Sequence, residues 1–94
     1  MVITWDPNKA LSNIKKHRVS FEVAATVFND PYHLSLLDSK SQGEDRWVTI
    51  GLAADKKTLV VVHTYIDSDS DEFIRIISAR KATKNERKSY EEGI

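Results

Sequence analysis

The segment from Phe73 to Lys88 holds Arg75, Arg80, Lys81, Lys84, Arg87 and Lys88 against the single acid Glu86. Guanidinium and ammonium groups at this density suit phosphate, and the guanidinium fork matches two phosphate oxygens at once. The apolar run Phe73–Ala79 leads directly into Arg80-Lys81 and then into Thr83-Lys84-Asn85-Glu86, a capping-box pattern. Arg80 and Lys81 therefore follow a strand and precede a capped helix, which fixes their backbones while the side chains reach solvent. The competing reading of the pair is a plain surface feature at a helix entry. Arg75 lies within the apolar strand, on the face of Phe73 and Ile77, and must find a partner or an open sheet face; a structural ion pair is the alternative to a chemical role. Arg46 starts another strand beside Glu44 and Asp45, where a local salt bridge competes with function. His63 sits in a strong strand, and its imidazole titrates near neutrality, as an acid or base requires. A packed histidine is the competing reading. Tyr65 and Tyr90 are able to stack on bases or orient phosphates, with core packing as the default for both. His17, at a helix end where a cation complements the dipole, reads as structural.

No metal or other cofactor is expected. Asp67-Ser68-Asp69-Ser70-Asp71 has the alternating acids of a calcium loop, but Glu72 replaces the sixth-place glycine and Ser78 the twelfth-place glutamate. Apolar strands rather than helices flank it. There is no cysteine, no histidine–carboxylate spacing that suits zinc, and no glycine-rich phosphate loop.

The elements that position these groups can be read in order. Val2 to Trp5 is a first strand. Asp6-Pro7 pairs an N-cap with proline at the first helical position, where a missing N–H is harmless. The helix over 7–17 places Leu11 and Ile14 along one face. Ser20 caps a second helix in which Phe21, Ala24, Ala25 and Phe28 recur at helical spacing until Asp30-Pro31 closes it. From His33 the period changes to two. Strands are predicted over 33–38, 46–52, Leu59–Ile66 and Phe73–Ala79, with a polar turn at Ser39–Glu44 and an acidic hairpin loop at Asp67–Glu72. Leu59–Ile66 and Phe73–Ala79 are apolar on both faces, as central strands are. A helix from Thr83 to near Gly93 ends the chain. The order β-α-α-β-β-β-β-α implies an α+β fold on an antiparallel sheet, with two N-terminal helices and one C-terminal helix.

Ninety-four residues make one domain, 1–94, near the lower end of what folds without metals or disulfides. Formal net charge is zero, so any affinity for nucleic acid must come from how charge is distributed. No apolar run approaches the ~20 residues of a membrane span, and the N-terminus lacks signal-peptide order. A cytoplasmic protein is the simplest reading.

The residues then fit a family pattern. Trp5-Asp6, Lys9, Asn13, Lys16-His17 and Val19-Ser20-Phe21 open it; Ala24, Val27-Phe28 and Asp30-Pro31 continue it. Glu44, Arg46 and Gly51 follow, then Val60-Val61-Val62 with Thr64, the run Arg75–Thr83, Glu86 and Tyr90. Together, in this order and spacing, they resemble the BrnT toxins, small RelE-like ribonucleases of type II toxin–antitoxin systems. The resemblance implies a RelE-like fold and metal-independent RNA cleavage that inhibits translation. With that activity in view, Arg80, Lys81, Arg46, Arg75 and His63 are the catalytic candidates, and Lys84, Tyr65 and Tyr90 the substrate-binding ones, with Arg80 and Lys81 resting most on the resemblance. It also implies a cognate ribbon-helix-helix antitoxin (BrnA-like), promoter DNA reached indirectly through that antitoxin, and two toxin copies in a heteromeric complex. Two positions depart from the pattern. Arg18 stands where the family usually has glycine, so the first helix must end in a strained left-handed arginine or by another route. Ile66 stands where members commonly carry arginine, which leaves open a module that binds its antitoxin for operon co-repression without cleaving RNA.

Overall fold

The computed structural model describes residues 1–38, 43 and 45–93; all of the Ser39–Glu44 turn except Gly43 lies outside them. Strand β1 (Val2–Trp5) runs into Asp6, whose carboxylate accepts from the Asn8 N–H at 2.8 Å and caps helix α1 (Pro7–His17). The helix ends by the strained route. Arg18 is left-handed (φ 60°, ψ 31°) and donates its N–H to Ile14 O at 2.9 Å. Ser20 then caps helix α2 (Phe21–Ala25), its hydroxyl accepting from Val23 N–H at 3.1 Å. The single helix expected up to Asp30 instead tightens into a 3-10 turn over Thr26–Asn29. The turn packs against Gly51, where any Cβ would lie 2.7 Å from Val27 Cγ1, so glycine is required for the close approach.

Strands β2 (Leu34–Leu37), β3 (Trp47–Leu52), β4 (Thr58–Asp67) and β5 (Glu72–Lys81) join β1 in one sheet ordered β1-β5-β4-β3-β2. β2 to β5 form an antiparallel meander, but β1 lies parallel to β5, with Ile3 beside Ile74. The sheet is therefore mixed, not wholly antiparallel. A hairpin dictates an antiparallel neighbour, and β1 has none. The helical segment carries the chain from β1 to the far edge at β2, and β1's partner arrives some seventy residues later with its direction already fixed by the meander.

Both N-terminal helices cover one face of the sheet, where Phe21, Ala24, Val27, Leu59, Val61, Ile74, Ile76 and Ala79 form the core. Trp5 closes it edge-on to Phe21, with ring centroids 6.0 Å apart. α1 does not bury the apolar face read from its sequence: Leu11 and Ile14 are exposed, while Ala10 packs on the core and Asn13 is buried. Hydrogen bonding decides this. β1 pairs with β5 only as far as Ile76, so Ala79, which has Val61 of β4 on one side, has no strand on its β1 side. The Asn13 amide replaces one: Nδ2 donates to Ala79 O (2.8 Å) and Val19 O (2.9 Å), and Oδ1 accepts from Ala79 N–H (3.1 Å). An unpaired buried peptide costs more than two exposed aliphatic side chains on a surface helix. Helix α3 (Lys84–Glu92) follows the complete Thr83–Glu86 capping box and ends at left-handed Gly93.

Candidate active site on the open face of the sheet

Strand alternation decides which side chains share a face, and β5 breaks its alternation once. Ile74 and Ile76 point into the core, so Phe73 and Arg75 point away from it. The register then slips: Val62 pairs with Ser78 and His63 with Ile76, so Ile77 is an extra, bulged residue. Beyond the bulge Ala79 is the core residue, and Ser78 and Arg80 rejoin the face of Arg75. Without the bulge, Lys81 and not Arg80 would stand with Arg75. Arg75 lies opposite Thr64 and Arg80 opposite Val60 on β4. Arg46 immediately precedes Trp47, which faces the helices, so position 46 also falls on the open face; its carbonyl accepts from Asp38 N–H at 2.7 Å. Arg46, Arg75 and Arg80 thus share one sheet face. At about 3.3 Å per residue, Arg75 and Arg80 start roughly 15 Å apart along β5, within the combined reach of two arginine side chains.

Arg80 is held in a fixed orientation. Its guanidinium donates to Glu86 Oε1 at 2.7 Å and Oε2 at 2.8 Å, a bidentate pair at the root of α3. The same Oε1 accepts from Thr83 N–H at 2.8 Å. The Arg80 bonds, ahead of the others, hold the Glu86 carboxyl down at about 2. Glu86 is therefore always ionised near neutrality: it aims the guanidinium and partly neutralises it, and it makes a poor proton acceptor. Lys84 occupies the first turn of α3, exposed, beside this pair.

Other candidates lie elsewhere. Arg80 and Lys81 are both inside β5, not after it, and alternation turns them to opposite faces. Lys81, opposite Leu59, instead lines a hollow of about 240 Å³ with Arg18 and Lys57 on the helix side. His63 is 3% exposed and faces the core: Nε2 lies 2.6 Å from Thr49 Oγ1, Nδ1 lies 2.9 Å from Thr64 O, and the ring meets Phe28 edge-on at 4.9 Å. Burial pushes its pKa below the ordinary histidine value. An imidazole with both nitrogens engaged behind the sheet is a core histidine and does not reach the arginines. Tyr65 also faces the helix side, edge-on to Trp47, and its hydroxyl donates to Glu72 Oε2 at 2.6 Å, which raises its pKa to about 12. Tyr90 is a tie: its hydroxyl donates to Asp30 Oδ2, and burial first, then Asp30, pushes its pKa to about 12.

Sequence reasoning missed two features. The Arg80–Glu86 pair was signalled, since the capping-box glutamate was visible, but one carboxylate serving both a helix cap and an arginine is a property of the turn between them. The bulge at Ile77 leaves no mark in the apolar run Ile74–Ile77. Among the described residues no group of three or more histidines or carboxylates could hold a metal ion, and no helix is long and apolar enough to cross a membrane.

Residues 5–86 match the family model described as the ribonuclease toxin, BrnT, of type II toxin–antitoxin systems. The fold is similar to the crystal structure of the Brucella abortus ribonuclease toxin, BrnT, with a TM-score of 0.62 and 23% identity, covering 89% of this chain and 99% of that one. No curated protein matches the sequence.

Proposed function

Because the chain belongs to the BrnT family of ribonuclease toxins of type II toxin–antitoxin systems, we propose that it cleaves RNA with the open sheet face around Arg46, Arg75 and Arg80, in the manner of a RelE-like toxin. The observation that carries this reading is the bulge-dependent return of Arg80 to the face of Arg75. It sets guanidinium groups on the side of the sheet that α1 and α2 leave uncovered. In the reaction the 2′-hydroxyl gives its proton to water and attacks the neighbouring phosphorus, closing a 2′,3′-cyclic phosphate, while the bond to the 5′-oxygen breaks and that oxygen takes a proton from water. The arginines hold the phosphate in line and stabilise the charge that gathers on its non-bridging oxygens. Glu86 presents the Arg80 fork, and the phosphate displaces or shares that carboxylate. Lys84 lies close enough in the chain to contact a flanking phosphate. His63, Tyr65, Tyr90 and Lys81 take no part. Catalysis on this face rests on charge and positioning, so no metal is required. The product is broken RNA and arrested translation, held in check in the cytoplasm by a cognate antitoxin of the ribbon-helix-helix class. That partner also links two toxin copies to promoter DNA.

The test is expression of the chain alone, with RNA ends mapped before and after induction, and cleavage repeated in a chelator. Growth arrest and chelator-resistant cutting are expected. Arg80→Ala should lower the cleavage rate by at least a hundredfold, the scale of losing one transition-state charge donor, without a change in fold by circular dichroism. A well-folded Arg80→Ala protein that still cuts would remove the face from consideration. A wild-type chain that neither arrests growth nor cuts RNA, yet co-purifies with its antitoxin, would identify a binding module in which the isoleucine at position 66 has cost the activity.

A further inference from the structure

Next to Arg75 the open face is hollow rather than flat. Val2, Thr4, Thr64, Ile66, Phe73 and Arg75 enclose a space of about 290 Å³, at the lower end of the ~300–1,000 Å³ of small-molecule clefts. The sheet register explains its shape. Phe73 stands between Val2 on β1 and Ile66 on β4, and Arg75 between the shorter Thr4 and Thr64. Apolar walls thus rise at the Phe73 level and the floor drops at the Arg75 level. Phe73 remains 40% exposed and Ile66 62% exposed.

An exposed aromatic ring two residues along a strand from an arginine, on the same face, pairs a stacking surface with a phosphate grip about 7 Å away. That is the spacing between a base and the phosphate of its own nucleotide. We propose that this hollow binds one unpaired nucleobase of the RNA, stacked against Phe73, with the adjoining phosphate on Arg75. The inference rests on the nuclease reading and deepens it. It gives the substrate a polarity on the sheet, with one nucleotide anchored at the β1 side and the chain running past Ser78 toward Arg80. It also requires single-stranded substrate at this point, because a paired base cannot enter the hollow.

The experiment measures binding of a fully 2′-O-methylated single-stranded RNA, which resists cleavage, by fluorescence anisotropy over a range of salt concentrations. Phe73→Ala should weaken binding roughly five- to a hundredfold, the range for loss of one stacked base, with an unchanged salt slope because no phosphate contact is lost. Phe73→Trp should bind at least as well as the wild type. Arg75→Ala should flatten the log–log salt slope by about 0.7, one phosphate contact to a single strand. An abasic nucleotide moved through the oligomer should mimic Phe73→Ala at one position and add nothing in that variant. Equal binding by wild type, Phe73→Ala and Phe73→Trp would overturn the inference. So would a Phe73→Ala variant that holds RNA normally but no longer retains the co-expressed antitoxin, which would make the hollow a protein-docking site. Failure of the nuclease reading looks different: Arg75→Ala and Arg80→Ala would then cut as fast as the wild type, or the wild type would not bind the oligomer at all.

Discussion

An imidazole on a strand is a natural candidate for proton transfer, but in this fold the environment of His63 opposes its charge. The ring is 3% exposed, and burial lowers its pKa from the ordinary value of 6.5. The consequence is for stability. The unfolded chain takes up a proton near pH 6.5 that the folded chain refuses until a lower pH, so the unfolded state gains relative stability as pH falls through that window. The melting temperature should hold above about pH 7 and decline as pH falls below about 6.5. Glu86 acts on a separate window. Its carboxyl is lowered from 4.5 to about 2, so the stability it contributes is complete above 4.5 and lost only below that. Melting curves of the wild type and His63→Gln between pH 8 and 5 check the assignment: the upper decline should vanish in the variant, and an identical decline would place its origin elsewhere. Arg18 gives a prediction of opposite sign. A left-handed arginine costs about 1 kcal/mol that glycine avoids, and Arg18 adopts φ 60°. Arg18→Gly should therefore raise stability by about 1 kcal/mol, seen as ~4–8 °C in melting temperature for a chain of this size. No gain would mean that the guanidinium, which shares its hollow with Asp55, contributes as much there as its backbone loses.

Elements whose ends are set by neighbouring residues were legible in the sequence; those set by distant partners were not. Asp6-Pro7, Ser20 and the Thr83–Glu86 box each fix a helix start within four residues, and all three caps form. The meander from β2 to β5 is equally local, because each hairpin brings its strands together. The parallel seat of β1 depends on Phe73–Ile76, and no period in Val2–Trp5 encodes it. The buried side of α1 was misread for the same reason: Asn13 serves a peptide 66 residues away, which outweighs a local apolar stripe. Helix α3 was legible in place but not in how loosely it is held. None of its residues is buried, and among the described residues the polar links that secure it include the capping box, Arg80–Glu86, and Tyr90 to Asp30. Asp30 also accepts from the Leu52 N–H at 2.8 Å and the Tyr32 N–H at 3.0 Å, so it stays satisfied without the tyrosine. Tyr90→Phe should thus cost only about 1 kcal/mol, typical of one hydrogen bond, and the loss should be local. Hydrogen exchange should quicken over residues 84–92 while β4 and β5 keep their protection. Uniform acceleration across the sheet would show that α3 and the sheet open as one unit.

At the scale of the whole molecule, one sheet divides the labour: the fold is built on the face under α1 and α2, and the cations of the site stand on the other. Zero net charge conceals this partition, and the sequence revealed it only in part. Alternation alone placed Arg75 with Phe73, though not with Ile77, which the bulge takes off that face. Arg80 reached the same face through a bulge the sequence does not announce, and Lys81, treated as its companion, went behind the sheet for the same reason. The sharpest test uses adjacent residues of β5. Ile76 is 1% exposed in the core, and a carboxylate there would be buried without a partner. The cost, several kcal/mol, is comparable to the entire stability of a small domain, so Ile76→Asp should be unfolded at room temperature. Arg75 is one position away and exposed on the opposite face. Arg75→Gln keeps a long polar side chain and should melt within a few degrees of the wild type, while RNA cleavage falls by tenfold or more through loss of a phosphate-binding charge. Circular dichroism melts and cleavage rates on the two variants decide the matter. A folded Ile76→Asp protein would contradict the facing of β5. An unfolded Arg75→Gln protein would mean that the arginine holds the sheet together, leaving Arg46 and Arg80 to carry the chemistry without it.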